Sequence, residues 1–204
     1  MVKIDRLARA RQLAAYDAQY AGLVVAGMDE AGRGPLVGNV VTACVVMPPE
    51  PLLLWVDDSK KLSESRREQV YEEIMRTALY VGVGQATPRE IDEMNILQAT
   101  KQAMRSAASQ VPAELFLIDA VKDLGLHGRE VPIIKGDATS YAIAAASIVA
   151  KVTRDRQMAE LDRMYPDYGF IRNKGYGTKE HIEALRRLGP CPEHRRTFIG
   201  HFWP

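Results

Sequence analysis

The amino-acid sequence predicts an α/β fold, a mixed sheet flanked by helices with a small helical extension at its C-terminal end. Three observations carry that assignment. Short apolar runs rich in β-branched residues, such as Val24-Val25-Ala26 and Val37 to Met47, cluster early in the chain. Later runs of that kind, such as Leu115 to Ile118, are separated by stretches of helical length and period, as in a layered sheet-and-helix unit. A long alanine-rich segment from Ser140 to Tyr165 has the small residues that close packing of a helix on a sheet requires.

Taken in order, Ile4 to Tyr20 places Ile4, Leu7, Ala8 and Ala14-Ala15 between Arg and Asp, the pattern of an amphipathic leading helix. Val24 to Gly27 reads as a buried strand that runs into Asp29 and Glu30, and Val37 to Met47 pairs with it as a hairpin, ended by Pro48-Pro49 and Pro51. The loop Asp57-Asp58-Ser59-Lys60-Lys61-Leu62 leads into a helix from about Ser63 to Thr77, with Ser65 and Glu68 expected as its capping box. Ala78 to Ala86 returns as a strand. Thr87-Pro88-Arg89-Glu90 then opens a helix with an N-cap, a proline at the first position and a glutamate three residues beyond the cap. A helix over Ile96 to Gln110 precedes the strand that ends on Asp119, and Val131 to Ile134 leads as a short strand into Lys135-Gly136-Asp137. After the alanine-rich helix, a helix over Lys179 to Leu188 and the Pro190-Cys191-Pro192 turn form the extension, about 171–204. With no repeat and no linker, 1–204 reads as a single domain.

Composition narrows the function. The chain has 204 residues, 47% hydrophobic and 26% charged, and a formal net charge of +1, so no global basic field announces a nucleic acid. The distribution is uneven: from Lys151 to Pro204 eleven Lys or Arg face seven Asp or Glu, and Met1 to Arg11 holds four bases and one acid. A basic face beside an acidic site suits a polyanion processed with metal ions, and a solvated helix surface fits the same counts. Cys44 and Cys191 have no metal spacing and read as free thiols, while His127, His181, His194 and His201 are scattered and receive no role. No run is long enough to cross a bilayer and no signal-peptide core is visible, so the expectation is a monomeric, cytoplasmic protein with no membrane association.

The chemistry gathers at ends of apolar runs. Asp29 and Glu30 are adjacent, and side chains that alternate along a strand converge only where the pleat ends. Neighbouring carboxylates repel, which a cation or a proton offsets. Asp119 and Asp137 repeat the pattern, although Asp137 can equally cap the helix that follows. Carboxylates of this kind suit hard divalent ions, two of which about 3.5–4 Å apart can serve an in-line phosphoryl displacement. Gly32-Arg33-Gly34 fits neither a P-loop nor a dinucleotide fingerprint. Its glycines permit close backbone approach to a ligand, with Arg33 available for phosphate, and a plain tight turn fits the same spacing.

Six segments resemble, in order, the motifs of ribonuclease HII, the type 2 ribonuclease H: Met28-Asp29-Glu30-Ala31-Gly32-Arg33-Gly34-Pro35, Asp58 to Leu62, Ile118-Asp119, Lys135-Gly136-Asp137, Ala145 to Asp155, and Gly175-Tyr176-Gly177-Thr178. The resemblance implies a ribonuclease H-like sheet and a metal-dependent endonuclease acting on RNA–DNA hybrids and on duplex DNA containing single ribonucleotides. It implies 3′-hydroxyl and 5′-phosphate products, with roles in ribonucleotide and primer removal. It assigns metal ligation, by Mg²⁺ or Mn²⁺, and catalysis to Asp29, Glu30, Asp119 and Asp137. It further assigns contact with the ribose 2′-hydroxyl and nearby phosphate to Gly32, Arg33 and Gly34, and packing on the adjoining deoxyribose to Tyr176. Lys60, Ser147 and Lys151 are candidates for phosphate contact, Ser147 equally for a small packing residue, and Asp155 is expected to pair with a neighbouring base. Ala120-Val121 departs from a family pattern in which Gly-Asn is common after the aspartate.

Overall fold

A computed structural model describes residues 5–203. Strands β1 (Val25–Ala31), β2 (Val40–Val46), β3 (Tyr80–Ala86), β4 (Leu115–Asp119) and β5 (Arg129–Ile133) form one sheet in the order β3-β2-β1-β4-β5. The first three strands pair antiparallel, while β4 lies parallel to both β1 and β5. This is the mixed sheet anticipated, with β1 and β4 side by side at its centre. The parallel pairing brings the C-terminal ends of β1 and β4, which carry Asp29, Glu30 and Asp119, to one edge.

The α-helices among the described residues are α1 (Arg6–Asp17), α2 (Glu64–Thr77), α3 (Pro88–Met94), α4 (Ile96–Ala108), α5 (Tyr141–Met164), α6 (Phe170–Asn173), α7 (Lys179–Leu188) and α8 (Arg196–Ile199). Alternation along the strands divides the core between two faces. Ala43 and Val45 of β2 face α1, α2 and α5, whereas Cys44 and Val46, with Phe116 and Ile118 of β4, face α4. The central helix α5 presses against β1: a Cβ placed on Gly27 would lie 2.0 Å from the carbonyl carbon of Ala142, so only glycine allows this approach.

Capping explains where the helices begin. Ser140 accepts from the Ile143 N–H at 3.2 Å, and Asp17, at the end of α1, accepts from the Ala142 N–H at 2.8 Å. The capping box at Thr87 and Glu90 forms as anticipated. For α2 the cap is Ser63, whose hydroxyl accepts from Arg66, and the expected box of Ser65 and Glu68 falls inside the helix. Helix α1 starts on Asp5, which accepts from Leu7 and Ala8, and Ile4 lies outside the described residues. Strand β2 begins at Val40 rather than Val37, because Gly38 turns the chain with φ of +80° and Val37 bridges instead to His194. The Pro35 segment accordingly opens a turn and a bridge. In the extension, Tyr168, Phe170, Leu185 and Ile199 pack with Leu36, Val37 and Met158 in one cluster.

Candidate active site

At the C-terminal edge of β1 and β4 lies a cleft of about 400 Å³ whose walls include Asp29, Glu30 and Asp119. The same cleft takes in Gly32, Arg33 and Gly34 of the turn after β1, Lys60 from the loop before α2, Ser147 and Lys151 from α5, and Tyr176 from the loop before α7. Segments far apart in sequence therefore meet because β1 and β4 pair and α5 crosses beneath them. A larger apolar cavity, about 570 Å³, lies at the opposite ends of β1 and β2 and holds none of these residues.

Asp29 is buried, and its Oδ1 accepts from the N–H of Glu30 at 2.7 Å. Burial pushes its carboxyl well above the usual range, the charges of Glu30 and Asp119 push it further, and the Ser147 hydroxyl opposes the rise. Glu30 is raised chiefly by burial, with Asp119 adding to the rise and Arg33 and Lys60 opposing it. Arg33 reaches Glu30 with 3.3 Å between Nη1 and Oε1, leaving Oε2 buried without a hydrogen-bond partner. Asp119 is held by the Gly136 N–H at 2.8 Å. After Asp119 the chain turns through Ala120 with φ of +53°, a left-handed conformation that glycine adopts at lower cost.

Asp137, in the tight turn Gly136–Ala138, is not among the residues that line this cleft, although it lies near enough to Asp119 for their charges to repel. Since Ser140 and Asp17 cap α5, its carboxylate is not the helix cap. Burial raises its pKa, and repulsion from Asp58 and Asp119 adds to the rise. Among the described residues no three acid, histidine or cysteine side chains already close round one ion position. The donor set nonetheless fits hard cations: crowded carboxylates with depressed acidity and an orphaned oxygen are what a divalent ion relieves.

The surrounding residues act on these acids. Ser147 lies 2.9 Å, oxygen to oxygen, from Ser59, so it is tied to the 57–62 loop and to Asp29. Lys151 pairs with Asp155 at 2.6 Å, and Arg67 approaches the other Asp155 oxygen at 3.1 Å, the base pairing expected of Asp155. Buried Asp57 gathers Arg9 at 3.1 Å and Arg6 at 3.5 Å, docking α1 on the loop that presents Lys60. Tyr176 is 49% exposed, so its ring is free to meet a ligand.

Sequence reasoning passed over several neighbours. Arg154 lines the cleft, and buried Arg195 reaches the Gly-Arg-Gly turn from the far end of the chain. His181 and His194 are not scattered: their Nε2 atoms lie 3.2 Å apart, and His194 Nδ1 is 3.1 Å from Cys191 Sγ. His194 uses opposite ring nitrogens for these contacts, so the three groups run in line rather than around a centre. No spacing signals this, because the segments meet only once α7 has folded back.

By fold and by this carboxylate-lined cleft at a strand edge, the molecule falls in the class of ribonuclease H-like α/β nucleases. Comparison with known proteins sharpens the class. The family model described as Ribonuclease HII matches residues 26–203. The chain is 54% identical over 177 residues to a ribonuclease HII of Caldanaerobacter subterraneus subsp. tengcongensis, covering 86% of this chain and 73% of that protein. It is 52% identical over 195 residues to the ribonuclease HII of Lachnoclostridium phytofermentans, covering 94% and 77%. Among solved structures it resembles the ribonuclease H2 of Pyrococcus horikoshii, with a TM-score of 0.73, 30% identity and coverage of 85% and 92%. It also resembles the ribonuclease HII of Archaeoglobus fulgidus solved in complex with PCNA, with a TM-score of 0.74, 28% identity and coverage of 87% and 96%. The chain belongs to the ribonuclease HII family and is an endoribonuclease.

Proposed function

We propose that, within the endonuclease activity on RNA in RNA–DNA hybrids that the family carries, this chain also cuts duplex DNA at single embedded ribonucleotides. The cut leaves 3′-hydroxyl and 5′-phosphate ends, and the activity serves removal of ribonucleotides and primers from DNA. What supports this reading is the sharing of one cleft by the Asp29, Glu30 and Asp119 carboxylates, the Gly32-Arg33-Gly34 turn and an exposed tyrosine ring. A reader of ribose, a reader of the next sugar and a hydrolytic centre are thereby within reach of one another.

In this reading Asp29, Glu30 and Asp119, with Asp137 from the neighbouring turn, would hold Mg²⁺ or Mn²⁺ through carboxylate oxygens. When bound, such ions acidify a water and neutralise charge at the scissile phosphate. The chain's own groups do the rest. The N–H groups of the turn meet the ribose 2′-hydroxyl, which donates and accepts and so separates RNA from DNA. Arg33 lies beside Glu30, within the site, to meet a phosphate oxygen. Tyr176 offers its face to a sugar lacking the hydroxyl, and through it the 171–204 extension joins in substrate binding. Lys60, which is exposed, and Lys151, which is half-buried and paired with Asp155, both line the cleft and are available for phosphate. Ser147, buried against Ser59 and Asp29, keeps the Asp29 carboxylate in place rather than meeting phosphate.

The test is a duplex with one ribonucleotide, incubated with each metal in turn. Cleavage confined to the 5′ side of that nucleotide supports the proposal. A protein that degrades continuous hybrids yet leaves this duplex intact overturns the narrower specificity, and trimming from the ends points instead to an exonuclease.

A further inference from the structure

Two arginines are buried where arginine seldom is. Arg195 is 0% exposed and Arg154 is 1% exposed, and among the described residues neither has a carboxylate within ion-pair distance. A buried guanidinium is costly unless its donors are satisfied. Here backbone carbonyls satisfy them. Arg195 donates from Nη2 to Gly32 and Gly38, both at 2.7 Å, from Nη1 to Arg33 at 3.0 Å and Pro35 at 2.8 Å, and from Nε to Gly38 at 2.9 Å. Arg154 donates from Nε to Asn39 at 3.2 Å, from Nη2 to Val37 at 3.1 Å and from Nη1 to Lys174 at 3.1 Å.

These acceptors define two loops. One is the 32–39 segment, which includes the Gly-Arg-Gly turn. The other begins at Lys174, at the end of α6 and two residues before Tyr176. The Leu36 N–H donates to Gly175 at 2.8 Å and joins the loops directly. The fit is close: a Cβ on Gly32 would lie 2.1 Å from Arg154 Nε. A planar fork with five donors can serve several carbonyls at fixed angles, whereas an ammonium carries three rotatable donors on a flexible stem.

We propose that Arg195 and Arg154 are positioning residues that fix the spacing between the Gly32-Arg33-Gly34 turn and the Tyr176 ring, and so set the preference for a ribose followed by a deoxyribose. This rests on the roles given above to the turn and to Tyr176. Arg195 ties that spacing to the tail of the chain, because it directly precedes α8 and its own N–H donates to Leu36 at 2.9 Å. Arg154 ties it to α5, which also carries Ser147 and Lys151.

The experiment uses the full chain and Arg195→Lys, which keeps the charge and loses the fork. Steady-state rates are compared on a duplex with one ribonucleotide and on a continuous RNA–DNA hybrid, where no ribose-to-deoxyribose step lies within the cut strand. Amide hydrogen exchange is followed over 32–39 and 174–177. The expected result is a drop of about tenfold in the ratio of kcat/KM for the single ribonucleotide to that for the hybrid, carried mainly by KM. Exchange should accelerate in both loops while β1 and β4 keep their protection. Equal loss on both substrates, or loosening of the strands together with the loops, would mean that Arg195 only supports the fold and would overturn the proposal. Unchanged exchange in the loops would overturn it as well. If the unmodified chain fails to cut at a single ribonucleotide, the substrate reading fails on its own, and the exchange data still decide whether the arginines fix the loops.

Discussion

At the residue scale the carboxylates are held against their own repulsion. Asp29 is buried beside Glu30 and Asp119, so its charge costs stability while no cation is present. Asp29→Asn should therefore melt no lower than the parent in EDTA, while activity falls by about three orders of magnitude or more. Millimolar Mn²⁺ should raise the melting temperature of the parent and do so much less in the variant, a difference that scanning calorimetry resolves. Ala120 is a second residue under strain, at φ of +53°. Ala120→Gly should raise the urea midpoint, by about 0.5–1 kcal/mol in stability. Asp29 with Glu30, and Asp119, were legible in the sequence because each site ends an apolar run. The buried arginines were not, because composition treats arginine as a surface residue and only a folded loop of bare carbonyls makes one welcome inside.

At the scale of elements, the governing contact is α5 on β1. Gly27→Ala would push a methyl group to 2.0 Å from the Ala142 backbone, which neither rigid partner can yield. We expect a loss on the order of 3 kcal/mol, measured by chemical denaturation, with activity lost in proportion to unfolded protein. Element identity followed from periodicity: the strand ending on Asp119, the alanine-rich helix and the helix over Lys179–Leu188 stand where residue pattern puts them. Boundaries followed less well where local and tertiary signals compete. Ser65 and Glu68 have the spacing of a capping box, yet the chain enters α2 at Ser63 because the loop before it is already tied down by Arg67, which donates to the carbonyls of Ser59 and Leu62 at 3.0 Å. Val37 is as β-branched as its neighbours and still lies outside β2, since Gly38 turns the chain ahead of it. The hairpin of β1 and β2 could be anticipated, whereas the placement of β4 beside β1 requires a crossover that no local pattern encodes.

At the scale of the molecule, the extension is joined to the sheet region through buried groups that dislike charge. Burial pushes His194 down to about 4, and the neighbouring His181, itself lowered by burial, adds to that push. A histidine whose folded pKa is depressed takes up protons on unfolding, so its contribution is complete above the ordinary value of 6.5 and is lost as pH falls towards 4. Stability should thus drop by on the order of 2 kcal/mol across that window, and His194→Gln should flatten the dependence in urea titrations at several pH values. The helix α5 has a different global consequence. Over its 24 residues it supplies Ser147 and Lys151 to the cleft, Arg154 to the loops and Met158 to the packing of the extension. Each added residue would rotate everything downstream by about 100° and advance it by about 1.5 Å. Such a rod tolerates exchange of side chains far more readily than any change in length, so variation in this protein should accumulate as substitutions along α5 and as insertions only in the turns beyond its two ends.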